Sequence, residues 1–145
     1  MSWLPQTPTE PYWECPEAKF AHLVMATDDP RAWKALEQVA KRSDVGLPME
    51  FLNPMDYTYV GDRHRRQRLE FLAAFLDDAD VPDRKARPEM FSGPHTGFTF
   101  ERVAVQDFAA MKIASLLDMP DRPDRDWTPR QWEKLRRPVK EALHR

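Results

Sequence analysis

The fold is decided by residues 105–117, which read VQDFAAMKIASLL. Apolar side chains recur in this stretch every three or four residues, which is the spacing of one face of an α-helix. Proline interrupts a helix interior, so Pro120 limits the helix on its C-terminal side. The pattern predicts a helix over about 103–118 with these inward-facing residues: Val105, Phe108, Ala109, Ile113, Leu116 and Leu117.

A second apolar stretch, residues 69–76, reads LEFLAAFL. It is apolar around most of its circumference, and this is typical of a helix that is buried on two sides. Asp62 precedes the stretch, and aspartate is a favoured N-cap residue. We therefore expect a helix that is capped by Asp62 and ends near Leu76.

Prolines mark the starts of the other helices. The chain of 145 residues contains 14 prolines and only 4 glycines. Proline is favoured at the first position of a helix and is excluded from its interior. We expect Pro16, Pro30 and Pro129 each to begin a helix, with the first two spanning about 16–25 and 30–43.

The last helix has the clearest start signal in the chain. Thr128 and Gln131 have the spacing of a capping box, in which each side chain bonds the other residue's backbone N–H. Trp127 and Trp132 have the spacing of a hydrophobic staple. Pro138 lies inside the same helical stretch, so we expect the helix to kink or restart there.

Three regions lack a helical pattern. Residues 1–15 contain three prolines and three aromatic residues, and we interpret them as an extended strap that lays its aromatic side chains on the body. Residues 44–61 and 77–102 are predicted as long ordered loops, the first of them packed and with room for a short strand. The sequence thus predicts an all-α domain of about five helices over 16–145.

Composition narrows the classes of function. The formal net charge of −2 removes the long-range attraction on which most nucleic-acid and anionic-membrane binders depend. The single cysteine, Cys15, excludes an internal disulfide and a cysteine-rich zinc site. No stretch approaches the ~20 apolar residues of a membrane span. We expect a soluble, cytoplasmic protein without a cofactor.

The helical pieces resemble HEAT repeats. Residues 69–81 are similar to the first helix of such a repeat with its acidic turn, and residues 105–117 are similar to its second helix. Residues 17–43 resemble a shorter version of the same hairpin. The resemblance implies antiparallel helix hairpins that form a scaffold or binding surface rather than an active site. Because such arrays need three or more repeats, it also implies that the chain is part of a larger protein.

The densest charge cluster is residues 63–68, RHRRQR. It lies at the start of a predicted helix, where the helix dipole favours anions over cations. Arginines and free helix N–H groups together can bind phosphate or an acidic patch on another protein. The predicted contact residues are Arg63, Arg65, Arg66 and Arg68. Alternatively, these arginines pair with acids of neighbouring turns, namely Asp28, Asp29, Asp77 and Asp78.

A second candidate surface is the loop over residues 91–100. It combines a polar tip that contains two glycines with flanking phenylalanines, and aromatic side chains around a polar tip suit protein binding. Its predicted binding residues are His95 and Phe98. In a HEAT-like hairpin this loop and the arginine cluster would lie at opposite ends of the third helix, so the two surfaces need not cooperate.

Three functions are compatible with these features. The sequence favours a non-catalytic protein-interaction or scaffolding module whose partner carries an acidic patch. A nucleic-acid-binding helical repeat would use the same arginines on phosphates, but the net charge argues against it. A small hydrolase-like enzyme would need His64 or His95 near an acid or Cys15, and no spacing in the sequence requires that. No histidine pair has metal-ligand spacing, so no metal site is predicted.

Overall fold

Five α-helices and one short 3-10 segment make up the described part of this computed structural model, which covers residues 16–42, 51–56, 63–81, 103–120 and 127–144. These ranges contain no strand, which confirms the all-α class for them. The strap predicted at 1–15 and most of the loop predicted at 77–102 lie outside them. In chain order the elements are α1 (Pro16–Met25), α2 (Pro30–Arg42), the 3-10 segment (Asn53–Asp56), α3 (Arg65–Ala73), α4 (Val105–Leu116) and α5 (Pro129–Leu143).

The first two helices begin at the expected prolines. Ahead of Pro30, the Asp29 carboxylate accepts a hydrogen bond from the backbone N–H of Arg31 at 2.9 Å, which caps α2. The Trp33 indole N–H donates to the Thr27 carbonyl at 2.7 Å and fixes the turn between α1 and α2. The Trp33 ring meets Phe71 edge-on, with 6.5 Å between ring centroids. This ring contact joins α2 to α3.

The start of α3 differs from the expectation. The helix begins at Arg65, and its N-cap residue is His64, which has a left-handed backbone with φ 52° and makes no side-chain cap bond. Asp62 lies outside the described residues and is not at the N-cap position. The missing cap coincides with a run of arginines, and no acid occupies the first turn of α3.

α3 and α4 pack antiparallel to each other. The Arg65 guanidinium donates to the Leu116 carbonyl at 2.6 Å, so the start of α3 lies beside the end of α4. At the opposite end, the Asp80 and Asp78 carbonyls accept the backbone N–H groups of Val105 and Gln106 at 2.9 and 2.7 Å. The neighbouring chain thereby satisfies two N–H groups that a helix start leaves unpaired.

The predicted face of α4 is only part of its buried surface. Nine of its 12 residues are buried, because α3, α5 and the 3-10 segment all pack on it. Four of the six predicted inward-facing residues are buried, whereas Leu116 and Leu117 at the C-terminal end are half-buried. None of the described helices is long and apolar enough to cross a membrane.

Residues 51–56, predicted to lie in a packed loop, are helical and lie in the core. Phe51, Leu52 and Met55 are at most 2% exposed. Two cations hold this segment: Arg68 of α3 donates to the Met55 carbonyl at 2.9 Å, and Lys112 of α4 donates to the Asp56 carboxylate at 2.8 Å. The irregular apolar pattern concealed a helical turn that is stabilised by partners distant in the sequence.

α5 is one helix that continues through Pro138, so of the two expected outcomes, a kink or a restart, the restart does not occur. Buried Leu135 and Val139 flank the proline and anchor both halves of the helix. The predicted capping box is present, with Gln131 N–H donating to Thr128 Oγ1 at 3.3 Å and Thr128 N–H donating to Gln131 Oε1 at 2.8 Å.

The buried Lys112–Asp56 pair generates a stability prediction. Both side chains are 5% exposed, so Lys112→Met leaves an unpaired buried carboxylate and is expected to lower the free energy of unfolding by about 3–5 kcal/mol. Adding Asp56→Asn removes that charge and is expected to restore part of the loss. Urea unfolding of the three proteins measures both effects.

The matched control for this experiment is Arg66→Ala, which breaks an exposed ion pair with Glu70. It is expected to change the unfolding free energy by less than about 1 kcal/mol. If Lys112→Met changed stability no more than this control does, the buried pair would not hold the 3-10 segment.

The capping box of α5 generates a second prediction. Thr128→Ala removes the acceptor for the Gln131 N–H and is expected to lower the free energy of unfolding by about 1 kcal/mol. Lys134→Ala, an exposed substitution on the same helix, is the control and should stay within about 0.5 kcal/mol of the parent. Equal unfolding midpoints for the two variants in urea would contradict the capping role.

Candidate functional site

The structure divides the predicted arginine cluster. Arg63 and Arg66 are exposed, Arg65 is half-buried, and Arg68 is fully buried. Arg66 forms an ion pair with Glu70 one turn away at 3.0 Å, and its side chain is 87% exposed. Arg63, Arg65 and Arg66 can therefore be reached from outside, whereas Arg68 cannot.

Arg68 belongs to the core rather than to the surface. Its guanidinium donates to the Arg63 and Met55 carbonyls, each at 2.9 Å. The sequence carries a signal for this position, because Arg68 lies three, four and seven residues before Phe71, Leu72 and Phe75, and all three of these are buried. It therefore shares the inward face of α3.

Arg65 explains why cations occupy the start of α3. Its guanidinium binds the Leu116 carbonyl at 2.6 Å, at the C-terminal end of α4. Helix C-termini carry partial negative charge and favour cations. When two helices pack antiparallel, a charge that is unfavourable for its own helix is thus favourable for the neighbouring one.

An open groove of about 950 Å³ lies between α3 and the end of α5. Its apolar lining residues are Leu69, Ala73, Leu76 and Leu143. Its charged and ionisable lining residues are Arg65, Arg66, Glu70, Asp77, Lys140 and His144. Arg65 and Arg66 of the predicted cluster are therefore continuous with an apolar surface, whereas Arg63 does not line the groove.

Lys140 crosses from α5 to the end of α3. Its ammonium donates to the Asp77 carboxylate at 3.0 Å, and the two side chains are 44% and 92% exposed. Neither Lys140 nor the groove was predicted from the sequence. Lys140 lies four residues after Arg136, which gives two cations on one face of α5, but the sequence alone does not tell which acids they reach.

Two of the aspartates that were expected to pair with the arginine cluster, Asp29 and Asp77, pair with other cations. Asp29 pairs with Arg31 at 3.1 Å, and the hydrogen bond from Arg31 lowers the pKa of Asp29 below its ordinary value. Asp77 pairs with Lys140. Arg66 pairs instead with Glu70 of its own helix.

A smaller pocket of about 340 Å³ lies between the start of α4 and α5, and its walls include Trp127, Trp132 and the Asp107–Arg136 ion pair. The two indole rings are 5.1 Å apart between centroids and edge to face, as the staple predicted. Burial raises the pKa of Asp107 above its ordinary value of 3.8, and the Arg136 hydrogen bond and charge oppose this shift.

The other predicted site residues do not form a constellation in the described ranges. His95, Phe98 and Cys15 lie outside them. Burial lowers the pKa of His22 on α1, and His64 forms the N-cap of α3. Within the residues that the structure describes, no group of three or more histidine, cysteine, aspartate or glutamate side chains could hold a metal ion.

The chain was compared with known proteins in three ways. No protein-family model matches it. Searches of the curated proteins and of the solved structures give no significant match either. The HEAT resemblance therefore depends on the sequence pattern alone.

The pKa of Asp107 generates a pH prediction. Because folding raises the pKa of this carboxyl, the folded state binds a proton more readily than the unfolded state does. The contribution of the carboxyl to stability therefore decreases as pH rises from the unfolded-state pKa near 3.8 through the folded-state pKa. Asp107→Asn removes this contribution. The unfolding free energy of the parent minus that of the variant should therefore decrease as pH rises through this window, as measured by urea unfolding at a series of pH values.

Glu133→Gln serves as the control for this series, because it neutralises an exposed carboxylate on α5. A difference between the parent and Asp107→Asn that stays constant or increases with pH would contradict the raised pKa.

Proposed function

We propose that this chain is a non-catalytic protein-interaction module and that it binds an acidic segment of another protein along the groove between α3 and α5. The observation that carries the proposal is the continuity of accessible arginines with an apolar groove. Apolar surface left open beside charged residues is typical of protein-binding sites.

The groove lining offers both kinds of contact that such a partner needs. Leu69 and Leu143 are half-buried, so a partner can cover the remainder of their apolar surface and gain hydrophobic stabilisation. Arg66 is largely exposed and Lys140 is partly exposed, and both line the groove. Local positive charge on a chain whose formal net charge is −2 favours an acidic partner by complementarity.

The arrangement of helices is compatible with a scaffold of the HEAT-like kind. Consecutive helices pack on each other in the pairs α1–α2, α3–α4 and α4–α5, and the α3–α4 pair is antiparallel. Helical repeats use such hairpins to present extended binding surfaces. We include the hairpin repeat in the proposal because the sequence resemblance and this packing point to the same kind of scaffold.

The proposal is tested by selecting binders from a random peptide library displayed on phage, with the full chain immobilised. We expect the selected peptides to be enriched in aspartate and glutamate. Arg66→Glu combined with Lys140→Glu reverses the charge of two cations that line the groove. This double variant is expected to bind the selected peptides about tenfold or more weakly in fluorescence anisotropy, since several charged contacts are lost.

The matched control reverses the charge at two exposed arginines that do not line the groove, Arg42 and Arg130. Arg42→Glu with Arg130→Glu makes the same change in net charge and should leave peptide affinity within about twofold. Selected peptides without acidic enrichment, or equal losses in the two double variants, would contradict the proposal. Salt-sensitive binding of duplex DNA or RNA that outcompetes the peptides would instead indicate the nucleic-acid function.

A further inference from the structure

Two ion pairs lie on the rim of the groove, one toward each end of the α3 segment that lines it. Arg66 pairs with Glu70 at 3.0 Å, with side chains 87% and 64% exposed. Lys140 pairs with Asp77 at 3.0 Å, with side chains 44% and 92% exposed. Exposed ion pairs contribute little to stability, because water already solvates both charges well. Either cation can therefore exchange its own carboxylate for one from a ligand.

The apolar floor has the spacing of a helix-packing surface. Leu69, Ala73 and Leu76 are related as i, i+4 and i+7 along α3 and its C-terminal turn, and Leu143 faces them from α5. Such a row is about 10 Å long, which matches two turns of a second helix. Its accessible surface comes mainly from half-buried Leu69 and Ala73, because Leu76 is buried. The small side chain of Ala73 in the middle of the row allows close approach of another helix. This geometry fits an amphipathic helix better than an extended peptide.

The charges on the rim favour an acidic helix over a basic one. Among the described residues, Arg65, Arg66 and Lys140 line the groove together with two carboxylates, Glu70 and Asp77. A ligand that brings carboxylates can pair with the cations, whereas a basic ligand would have to compete with three cations for two acids. The same two acids repel an incoming acidic ligand once their partners are taken, so they limit its affinity.

We propose that the occupant of the groove is an acidic amphipathic helix of a partner protein and that Glu70 and Asp77 act as internal competitors for its carboxylates. This inference depends on the proposed function and adds the conformation of the partner and the means by which its affinity is limited. The apolar stripe of the partner lies on the floor, while its acids take Arg66 and Lys140 from Glu70 and Asp77.

The test uses two synthetic peptides of about 18 residues, long enough to form a helix on binding. Both contain the same leucines, alanines and glutamates. In one peptide the leucines lie at i, i+3, i+4 and i+7 with glutamates on both flanks, and in the other the order is scrambled so that no apolar stripe forms. Isothermal titration of the full chain is expected to show the amphipathic peptide binding at least about tenfold more tightly.

Variants test the internal competitors. Glu70→Gln and Asp77→Asn each release one rim cation and are expected to tighten binding of the amphipathic peptide about two- to fivefold. The matched control is Glu133→Gln, which breaks the exposed Arg137–Glu133 pair of α5, outside the groove. This control should leave the affinity unchanged, because its carboxylate does not line the groove. Circular dichroism checks that all variants keep the parental helix content.

The outcomes separate the two proposals. Equal affinities for both acidic peptides would overturn the helix inference while leaving the acidic-partner function standing. If Glu70→Gln and Asp77→Asn left the affinity for the amphipathic peptide unchanged, the role of these two acids as internal competitors would be overturned. If neither peptide bound, and the library selection also gave no acidic peptides, both proposals would be overturned. A second copy of this chain as occupant would appear as concentration-dependent mass in light scattering, and it would overturn the partner helix.

Discussion

The described helices depend on one buried arrangement, in which two cations hold the 3-10 segment inside the fold. Lys112 of α4 pairs with the Asp56 carboxylate at 2.8 Å and lies over the Phe108 ring, while Arg68 of α3 binds the Met55 carbonyl. Each charge is costly to bury alone, and each is compensated by a specific acceptor. The segment between them can pack only where both donors meet it, so this constraint fixes the register of α3 against α4.

That register also determines which residues line the groove. Because α3 and α4 are antiparallel, Arg65 reaches the end of α4, and the next residue, Arg66, remains at the surface. α5 then packs on α4 through buried Leu135 and Val139 and extends Lys140 and Leu143 toward α3. The cationic rim and the apolar floor thus follow from how α3, α4 and α5 pack on one another.

Local signals made much of the fold predictable. Prolines and the capping box gave the starts of α1, α2 and α5, because those signals act within a few residues of where they occur. The path of the chain through residues 51–56 was missed, since its acceptors are satisfied by Arg68 and Lys112 from distant parts of the chain. Arg68 was predicted at the surface because its acceptor, the Met55 carbonyl, is also distant in the sequence. Its spacing relative to Leu72 nevertheless indicates the core.

The way in which α5 is attached has a consequence for conditions in solution. Besides its apolar anchors, this helix is tied to the turn after α3 and to α4 by two charged contacts, Lys140 with Asp77 and Arg136 with Asp107. The first is exposed and is weakened by salt, whereas the second is mostly buried and is screened much less. High ionic strength therefore screens the charged contact at the C-terminal end of α5, beside the groove, while the contact at the middle of the helix persists.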